Sequence, residues 1–158
     1  FTTGQVYLKS DGTPWRPIVH IRDMALAFKC AIETPRELVH NEAFNVGQSD
    51  ENYQIRQMAD IVGEVVPDSK VKYADGASAD KRDYRVNCDK IKNTLVGYEP
   101  QWTARKGAQE LYEAYKAVGL KLDDFEGPRY RRLKHIKSLI DSGRLSDSLR
   151  WQELDPAL

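Results

Sequence analysis

The sequence predicts a mixed α/β domain that is rich in helix, has a few short strands and ends in a helical tail. Short β-branched runs are separated by turn residues, which is typical of strands. Longer segments carry apolar residues three or four positions apart, and Gly or Pro follows most of them, which is typical of helices. A chain of 158 residues is long enough to bury a core of its own.

The N-terminal segment is predicted to contain two short strands. The first covers Gln5–Leu8 and ends in the turn Ser10-Asp11-Gly12-Thr13-Pro14. The second covers Ile18–Ile21, because this run is apolar and β-branched.

A helix is predicted to follow, from Met24 to about Thr34, with Asp23 as its N-cap and Pro35 as its stop. This helix is apolar nearly all round, so we expect it to be buried on more than one side. A strand over Ala43–Val46 is predicted after it.

The remaining elements are predicted from periodicity and capping residues. The next helix has its apolar stripe at Ile55, Met58, Ala59, Val62 and Val65. We then expect a strand at Val71–Tyr73, a loop at 74–80, an extended stretch at 83–86, a short helix from Asn87 to Leu95, a helix capped by Thr103, and a last helix over about Pro128 to Ser142. The division predicted is a domain over residues 1–120 and a helical tail over 121–158.

Composition narrows the classes of partner. The charges of the 24 basic and 24 acidic residues cancel, so nucleic acid is not predicted as a partner. No apolar run approaches the ~18 residues of a membrane span, so a membrane is not predicted as a partner either. The tail is locally basic between residues 129 and 150, but a solvated surface helix explains this better than polyanion binding. Cys30 and Cys88 lack disulfide or metal-ligand spacing, which favours a reducing, cytoplasmic location.

Motifs for cofactor binding and catalysis are missing from the sequence. No glycine-rich turn of the G-x-G-x-x-G or G-x-x-x-x-G-K type occurs, so no cofactor-binding residues are predicted. Tyr112 and Lys116 have the spacing of a catalytic pair, but Tyr112 lies on the apolar stripe of a helix. No catalytic residue and no metal site is therefore predicted in this chain.

The opening stretch resembles the C-terminal half of the extended short-chain dehydrogenases, the NAD-dependent nucleotide-sugar epimerases and dehydratases. Their pattern is G-D-G-x-x-x-R, then H-V-x-D, then a helix, then N-x-G. The sequence gives Ser10-Asp11-Gly12 and Arg16, then His20-Ile21-Arg22-Asp23, then Asn45-Val46-Gly47. The order and spacing agree over about the first 120 residues, which also include "DKRDYRVNCDKI".

The resemblance implies that this chain is the substrate-binding portion of a Rossmann-type enzyme. In that family the N-terminal half binds NAD and supplies the catalytic Tyr and Lys, and that half is not in this chain. The expected partners are thus a nucleotide-diphosphate sugar and the missing Rossmann half. Alone, the chain is expected to be inactive, to bind no NAD, and to self-associate through the apolar surface that the other half would cover.

Arg16 is the first site residue that the resemblance implies, as a ligand of a phosphate. A guanidinium suits phosphate oxygens because it offers a planar fork of donors. The alternative is a surface arginine packed on Trp15 by a cation–π contact.

Further site residues follow from aligning Asn87-Cys88-Asp89-Lys90 with the family's D-x-S-K segment. Asp80 then falls on an aspartate that contacts ribose hydroxyls. Ala77 falls where a second phosphate arginine is expected, so either Arg82 or Lys81 replaces that arginine or one arginine suffices.

The strand from Val6 to Leu8 aligns with the edge that meets the nucleobase through backbone groups. Asp23 is interpreted as a cap, and His20 as a core residue with its polar groups satisfied. The sequence does not choose between epimerase and dehydratase, nor does it name the sugar nucleotide. A stand-alone nucleotide- or sugar-binding module without catalysis is the alternative function.

Overall fold

The computed structural model describes residues 1–76, 78 and 82–152. The strands in this part of the chain are β1 (Gln5–Leu8), β2 (Trp15–Pro17), β3 (Asn52–Gln54) and β4 (Lys70–Tyr73). The helices are α1 (Ile21–Glu33), α2 (Arg36–Val39), α3 (Ile55–Val65), α4 (Asp89–Thr94), α5 (Ala104–Ala117), α6 (Leu122–Glu126) and α7 (Arg132–Asp141). The predicted class, a helix-rich α/β fold with a few short strands, is confirmed.

The chain divides into two compact units. Unit 1 contains Phe1 and Thr3–Ala114, and unit 2 contains Thr2 and the residues from Tyr115 onward. The predicted domain boundary at residue 120 stays a prediction.

A parallel pair of strands, β1 and β4, lies in unit 1. Gln5 pairs with Lys70 and Leu8 pairs with Tyr73. Helix α3 packs on this pair and joins it to the second sheet, since it follows β3 directly and precedes β4. The predictions of β1, of α3 and of the strand at β4 are confirmed.

The second sheet is the antiparallel pair of β2 and β3, in which Arg16 lies opposite Tyr53. The predicted strand at Ile18–Ile21 is wrong, because the strand covers Trp15–Pro17 and Ile21 already begins α1.

Helix α1 is capped by His20 and not, as predicted, by Asp23. His20 Nδ1 accepts a hydrogen bond from the Arg22 backbone N–H at 3.2 Å. Its Nε2 lies 2.7 Å from Glu110 Oε2, and its ring stacks on Trp102 with centroids 3.8 Å apart. The interpretation of His20 holds in part: both ring nitrogens have partners, as expected, but the residue is only partly buried and lies at the helix start as an N-cap.

Asp23 lies buried in the first turn of the same helix. Its two carboxylate oxygens accept hydrogen bonds from the backbone N–H groups of Gln101 and Trp102, each at 3.0 Å. The carboxylate thus holds the segment that leads into α5.

The core of unit 1 lies between α1 and α4. It consists of Ala27, Cys30, Cys88, Ile91, Leu95 and Tyr98. Residues 43–46 form no strand, so that prediction is wrong; Phe44 and Val46 instead pack on this core from a loop.

Unit 2 contains α6 and α7. The predicted helix over Pro128–Ser142 is shorter in the structure, and α6 was not predicted. Leu139 and Leu145 are buried, and Gly143 ends the helix with a positive φ of 71°. In the part of the chain that is described, no helix is both long and apolar enough to cross a membrane.

Candidate functional site

The turn between β1 and β2 is held against the start of α3. The carboxylate of Asp11 accepts hydrogen bonds from the backbone N–H and the hydroxyl of Thr13, at 3.0 and 2.7 Å, and these bonds lower the pKa of Asp11. The Gly12 carbonyl accepts from the Arg56 N–H at 2.9 Å. A Cβ on Gly12, whose φ is +78°, would lie 2.9 Å from Arg56 Cβ, so glycine is required there.

Arg16 extends from β2 toward the segment that precedes α4. Its Nη1 donates to the Trp15 carbonyl at 2.6 Å and also to the Arg82 carbonyl. Its guanidinium carbon lies 5.1 Å from the centre of the Tyr84 ring, which is within cation–π range. Arg16 therefore joins β2 to the 82–84 segment.

Trp15 has a different arginine on its ring. The guanidinium carbon of Arg85 lies 4.3 Å from the Trp15 ring centre. The backbone N–H of Trp15 donates to Asp83 Oδ1 at 2.8 Å. The cation–π contact with Trp15, which was the alternative interpretation of Arg16, is thus made by Arg85.

Asn52 anchors this segment from β3. Its Nδ2 donates to the Val86 carbonyl at 2.9 Å, and its Oδ1 accepts from the Val86 N–H at 2.9 Å. Asn52 is buried, so these two bonds fix residues 82–86 beside β2.

A cleft of about 570 Å³ opens beside Arg16, within unit 1. Its size suits a small ligand. The described residues that line it are Tyr7, Leu8, Lys9, Ser10, Arg16, Ile55, Ser78 and Arg82. Three of these carry positive charge and none carries negative charge, so the described lining attracts anions.

Three of the residues predicted for the site meet at this cleft: Leu8, Arg16 and Arg82. Val6 is half-buried on the same strand and does not line the cleft. Asp80 and Lys81, and also Ala77, lie outside the described residues. A substrate-binding role for each of these residues stays a prediction.

Sequence reasoning missed Lys9, Tyr84 and Asn52. Lys9 was detectable, because it follows the predicted strand and so lies at the end of β1. Tyr84 and Asn52 gave no usable signal, since each acts on a residue more than thirty positions away.

Tyr53, which lies opposite Arg16 in the second sheet, has a strongly shifted pKa. Burial and the hydrogen bond from its hydroxyl to Glu51 Oε2, at 3.0 Å, raise the pKa of Tyr53 to about 12. The same Glu51 oxygen accepts from the backbone N–H of Ala104 at 2.7 Å. Glu51 therefore links β3 to the first residue of α5.

Residues 2–47, which include β1, β2 and the whole of α1, match the model of the NAD dependent epimerase/dehydratase family. The family resemblance predicted from the sequence is thus confirmed over these residues. The epimerase/dehydratase match covers Arg16 and both flanks of the Gly12 turn, and it ends at Gly47.

Solved structures share this fold over most of the chain. A dTDP-glucose 4,6-dehydratase from Bacillus anthracis, in complex with NAD, matches with a TM-score of 0.55 and 22% identity over 72% of this chain and 34% of its own. An L-threonine dehydrogenase from Clostridium difficile matches with a TM-score of 0.60 and 14% identity over 75% of this chain and 38% of its own. RMD from Pseudomonas aeruginosa, complexed with NADPH, matches with a TM-score of 0.53 and 14% identity over 74% and 37%. This chain thus spans a little over a third of the length of these structures.

Proposed function

We propose that this chain is the nucleotide-sugar-binding portion of an NAD-dependent epimerase or dehydratase. The observation that carries the proposal is that Arg16, Arg82 and the end of β1 line one cationic cleft. A diphosphate needs several donors within reach of adjacent phosphoryl groups, and two arginines and a lysine on one cleft supply them.

The diphosphate lies between Arg16 and Arg82 in this proposal. The two residues are already neighbours, because the Arg16 guanidinium donates to the Arg82 carbonyl. Arg82 then takes the role of the second phosphate arginine, for which the resemblance left open Arg82, Lys81 or no replacement. Lys9 adds a third positive charge.

The nucleobase lies against the outer edge of β1. The carbonyls of Gly4 and Leu8 accept hydrogen bonds from Lys70 and Ala74, on the β4 side. Because peptide groups alternate along a strand, the N–H and C=O of Tyr7 point away from β4. Tyr7 also lines the cleft, so these two backbone groups suit one donor and one acceptor on a base.

NAD would be supplied by another part of a longer protein. The relatives have nearly two thirds of their length outside the match, and the dehydratase among them is in complex with NAD. We propose that an N-terminal Rossmann half is the partner that carries NAD, the catalytic Tyr and the catalytic Lys. We propose a cytoplasmic location as well, since Cys30 and Cys88 are both free and buried.

A stand-alone binding module is the second candidate. The observation in its favour is that all the described lining of the cleft belongs to unit 1. The two candidates share the ligand and differ in catalysis.

Calorimetric titration of the chain with UDP, dTDP, UMP and uridine tests the proposal. We expect UDP or dTDP to bind more tightly than the monophosphate, and uridine to bind weakest, because each phosphate adds contacts to Arg16 and Arg82. Equal affinity for UDP and uridine, or no binding of any of the four, would overturn the proposal.

A further inference from the structure

Two arginine–aromatic pairs join β2 to the segment over residues 82–86. The guanidinium carbon of Arg16 lies 5.1 Å from the centre of the Tyr84 ring, and that of Arg85 lies 4.3 Å from the centre of the Trp15 ring. Each stretch contributes one aromatic residue followed by one arginine, and the two stretches pair in opposite directions. The structure therefore contains the same cation–π contact twice, at neighbouring positions.

The two pairs lie on opposite faces of β2, because successive side chains of a strand point to opposite sides. Arg16 lines the cationic cleft, whereas Trp15 and Arg85 do not. Tyr84 does not line the cleft either, so it can act on a ligand only through Arg16. The pair of Trp15 and Arg85 provides a control of the same chemistry within the same molecule.

The backbone on both sides of the Tyr84 ring is anchored. On one side, the carboxylate of Asp83 accepts a hydrogen bond from the Trp15 backbone N–H at 2.8 Å. On the other side, the buried Asn52 side chain makes two hydrogen bonds to the backbone of Val86, each at 2.9 Å. The ring is therefore a fixed surface for the Arg16 guanidinium, although the residue is 50% exposed.

An aromatic ring suits this place better than a carboxylate would. The face of the ring attracts a guanidinium through its quadrupole and carries no net charge. A carboxylate in the same place would also hold Arg16, but its negative charge would repel an incoming phosphate. The ring thus fixes the guanidinium and leaves the positive charge of Arg16 to attract the ligand.

We propose that Tyr84 is a positioning residue, which holds the Arg16 guanidinium at the cleft before a nucleotide diphosphate binds. For the identity of that ligand, this inference rests on the proposed function. A long side chain loses rotational freedom when it binds a ligand, and this loss lowers the affinity. Because the Tyr84 ring restricts Arg16 during folding, part of the loss occurs before binding, and the affinity for the diphosphate rises.

Calorimetric titration with UDP tests the effect on affinity. We expect Tyr84→Ala to weaken UDP binding by about 3- to 10-fold, the cost of ordering one long side chain. Tyr84→Phe keeps the ring and should bind like the parent chain. Arg85→Ala, which breaks the pair on the other face of β2, is the matched control and should also bind like the parent. Equal weakening by Tyr84→Ala and Arg85→Ala, or by Tyr84→Ala and Tyr84→Phe, would overturn the proposal.

A double substitution shows whether Tyr84 acts through Arg16. In an Arg16→Ala chain, Tyr84→Ala should leave the UDP affinity unchanged, because no guanidinium remains to be held. If Tyr84→Ala weakens UDP binding equally with and without Arg16, the ring contacts the ligand itself and the positioning role is wrong.

The mobility of Arg16 without ligand tests the positioning directly. ¹⁵N relaxation of the Arg16 side-chain Nε gives an order parameter, which we expect to fall in Tyr84→Ala and to stay at the parent value in Tyr84→Phe. Tyr84→Leu is a second variant that keeps an apolar side chain without a ring, and it should behave like Tyr84→Ala. The same order parameter in all four chains would overturn the proposal.

This measurement is independent of the proposed function, because it needs no nucleotide. A parent chain that binds no UDP would overturn the proposed function. The order parameters would still decide whether Tyr84 positions Arg16.

Discussion

Individual side chains of this chain act across long stretches of sequence. Arg16 contacts the 82–84 segment, Asn52 clamps Val86, and Glu51 holds Ala104. Each contact joins two loops or element ends, and none lies within a single helix. Of these residues only Arg16 also lines the cleft, so its substitution tests binding as well as folding.

Arg16→Ala should weaken binding of UDP or dTDP by roughly 1.5–3 kcal/mol, the scale of a hydrogen bond to a charged group. Arg16→Lys should restore part of the affinity, because lysine keeps the charge and loses the planar fork. Calorimetric titration measures both. Arg36→Ala, an exposed arginine on α2, is the control.

The free energy of unfolding of each variant separates the two roles of Arg16. We expect the alanine variant to lose little stability. If it unfolds much more easily than the parent and still binds the nucleotide as tightly, Arg16 is structural and the site assignment is wrong.

Tyr53 should make the fold sensitive to alkaline pH. Its ordinary pKa is 10.0 and its pKa in the folded chain is about 12, so between these values the unfolded chain loses a proton that the folded chain keeps. The free energy of unfolding should therefore fall as the pH rises from 10 to 12, and its share from Tyr53 is complete below pH 10. Urea denaturation at several pH values measures this.

Tyr53→Phe should flatten the alkaline fall in stability. Tyr130→Phe, the same chemical change at an exposed residue, is the control and should leave it unchanged. A curve for Tyr53→Phe that matches that of the parent would contradict the prediction.

At the scale of elements, acidic side chains from other parts of unit 1 hold the start of α5. Asp23 of α1 holds Gln101 and Trp102, and Glu51 holds Ala104, so two carboxylates fix the segment that begins α5. A carboxylate that accepts backbone N–H bonds at a helix start also interacts favourably with the helix dipole.

Asp23→Ala should lower the free energy of unfolding by about 2–4 kcal/mol, because it removes two hydrogen bonds from a buried carboxylate and leaves the partly buried N–H groups of Gln101 and Trp102 without these acceptors. Asp23→Asn should cost less, since one acceptor oxygen remains. Asp60→Ala, which removes an exposed carboxylate from α3, is the control. Urea denaturation curves measure all three, and equal losses for Asp23→Ala and Asp60→Ala would contradict the assigned role.

The elements predicted correctly from the sequence were those whose own residues carry a clear periodic pattern. The apolar stripe of α3 and the alternation in β1 were sufficient for their prediction. The prediction of a strand at 43–46 was wrong, because Phe44 and Val46 pack their side chains on the core while their backbone pairs with no other strand. The strand β3 was missed because its residues are polar.

The candidate site was predictable in part, because its motif residues lie close together in the sequence. Arg16 and Leu8 were found through the family resemblance and Arg82 as one of three alternatives, and all three residues line the cleft. The hydrogen-bond partners of Asp23 could not be predicted from the sequence, because they lie nearly eighty residues away along the chain.

At the scale of the whole molecule, binding and redox chemistry should be separable. The described lining of the cleft belongs to unit 1, whereas the sequence contains no glycine-rich turn for a pyrophosphate. The chain alone should therefore bind UDP or dTDP and show neither NAD binding nor epimerase activity. Calorimetric titration with NAD measures this, with UDP as the positive control, and micromolar affinity for NAD would contradict it.

Trp15 is an intrinsic fluorescence probe beside the cleft. Its indole packs against the Arg85 guanidinium, and its backbone N–H donates to the Asp83 carboxylate. Tyr84, which lies between these two residues in the sequence, packs on the Arg16 guanidinium. An anion that draws Arg16 away from the Arg82 carbonyl would shift these neighbours and with them the emission wavelength and quenching of the indole. With Trp102 and Trp151 replaced by phenylalanine, Trp15 would be the sole tryptophan, and selective excitation of its indole would follow ligand binding on the millisecond timescale without a dye.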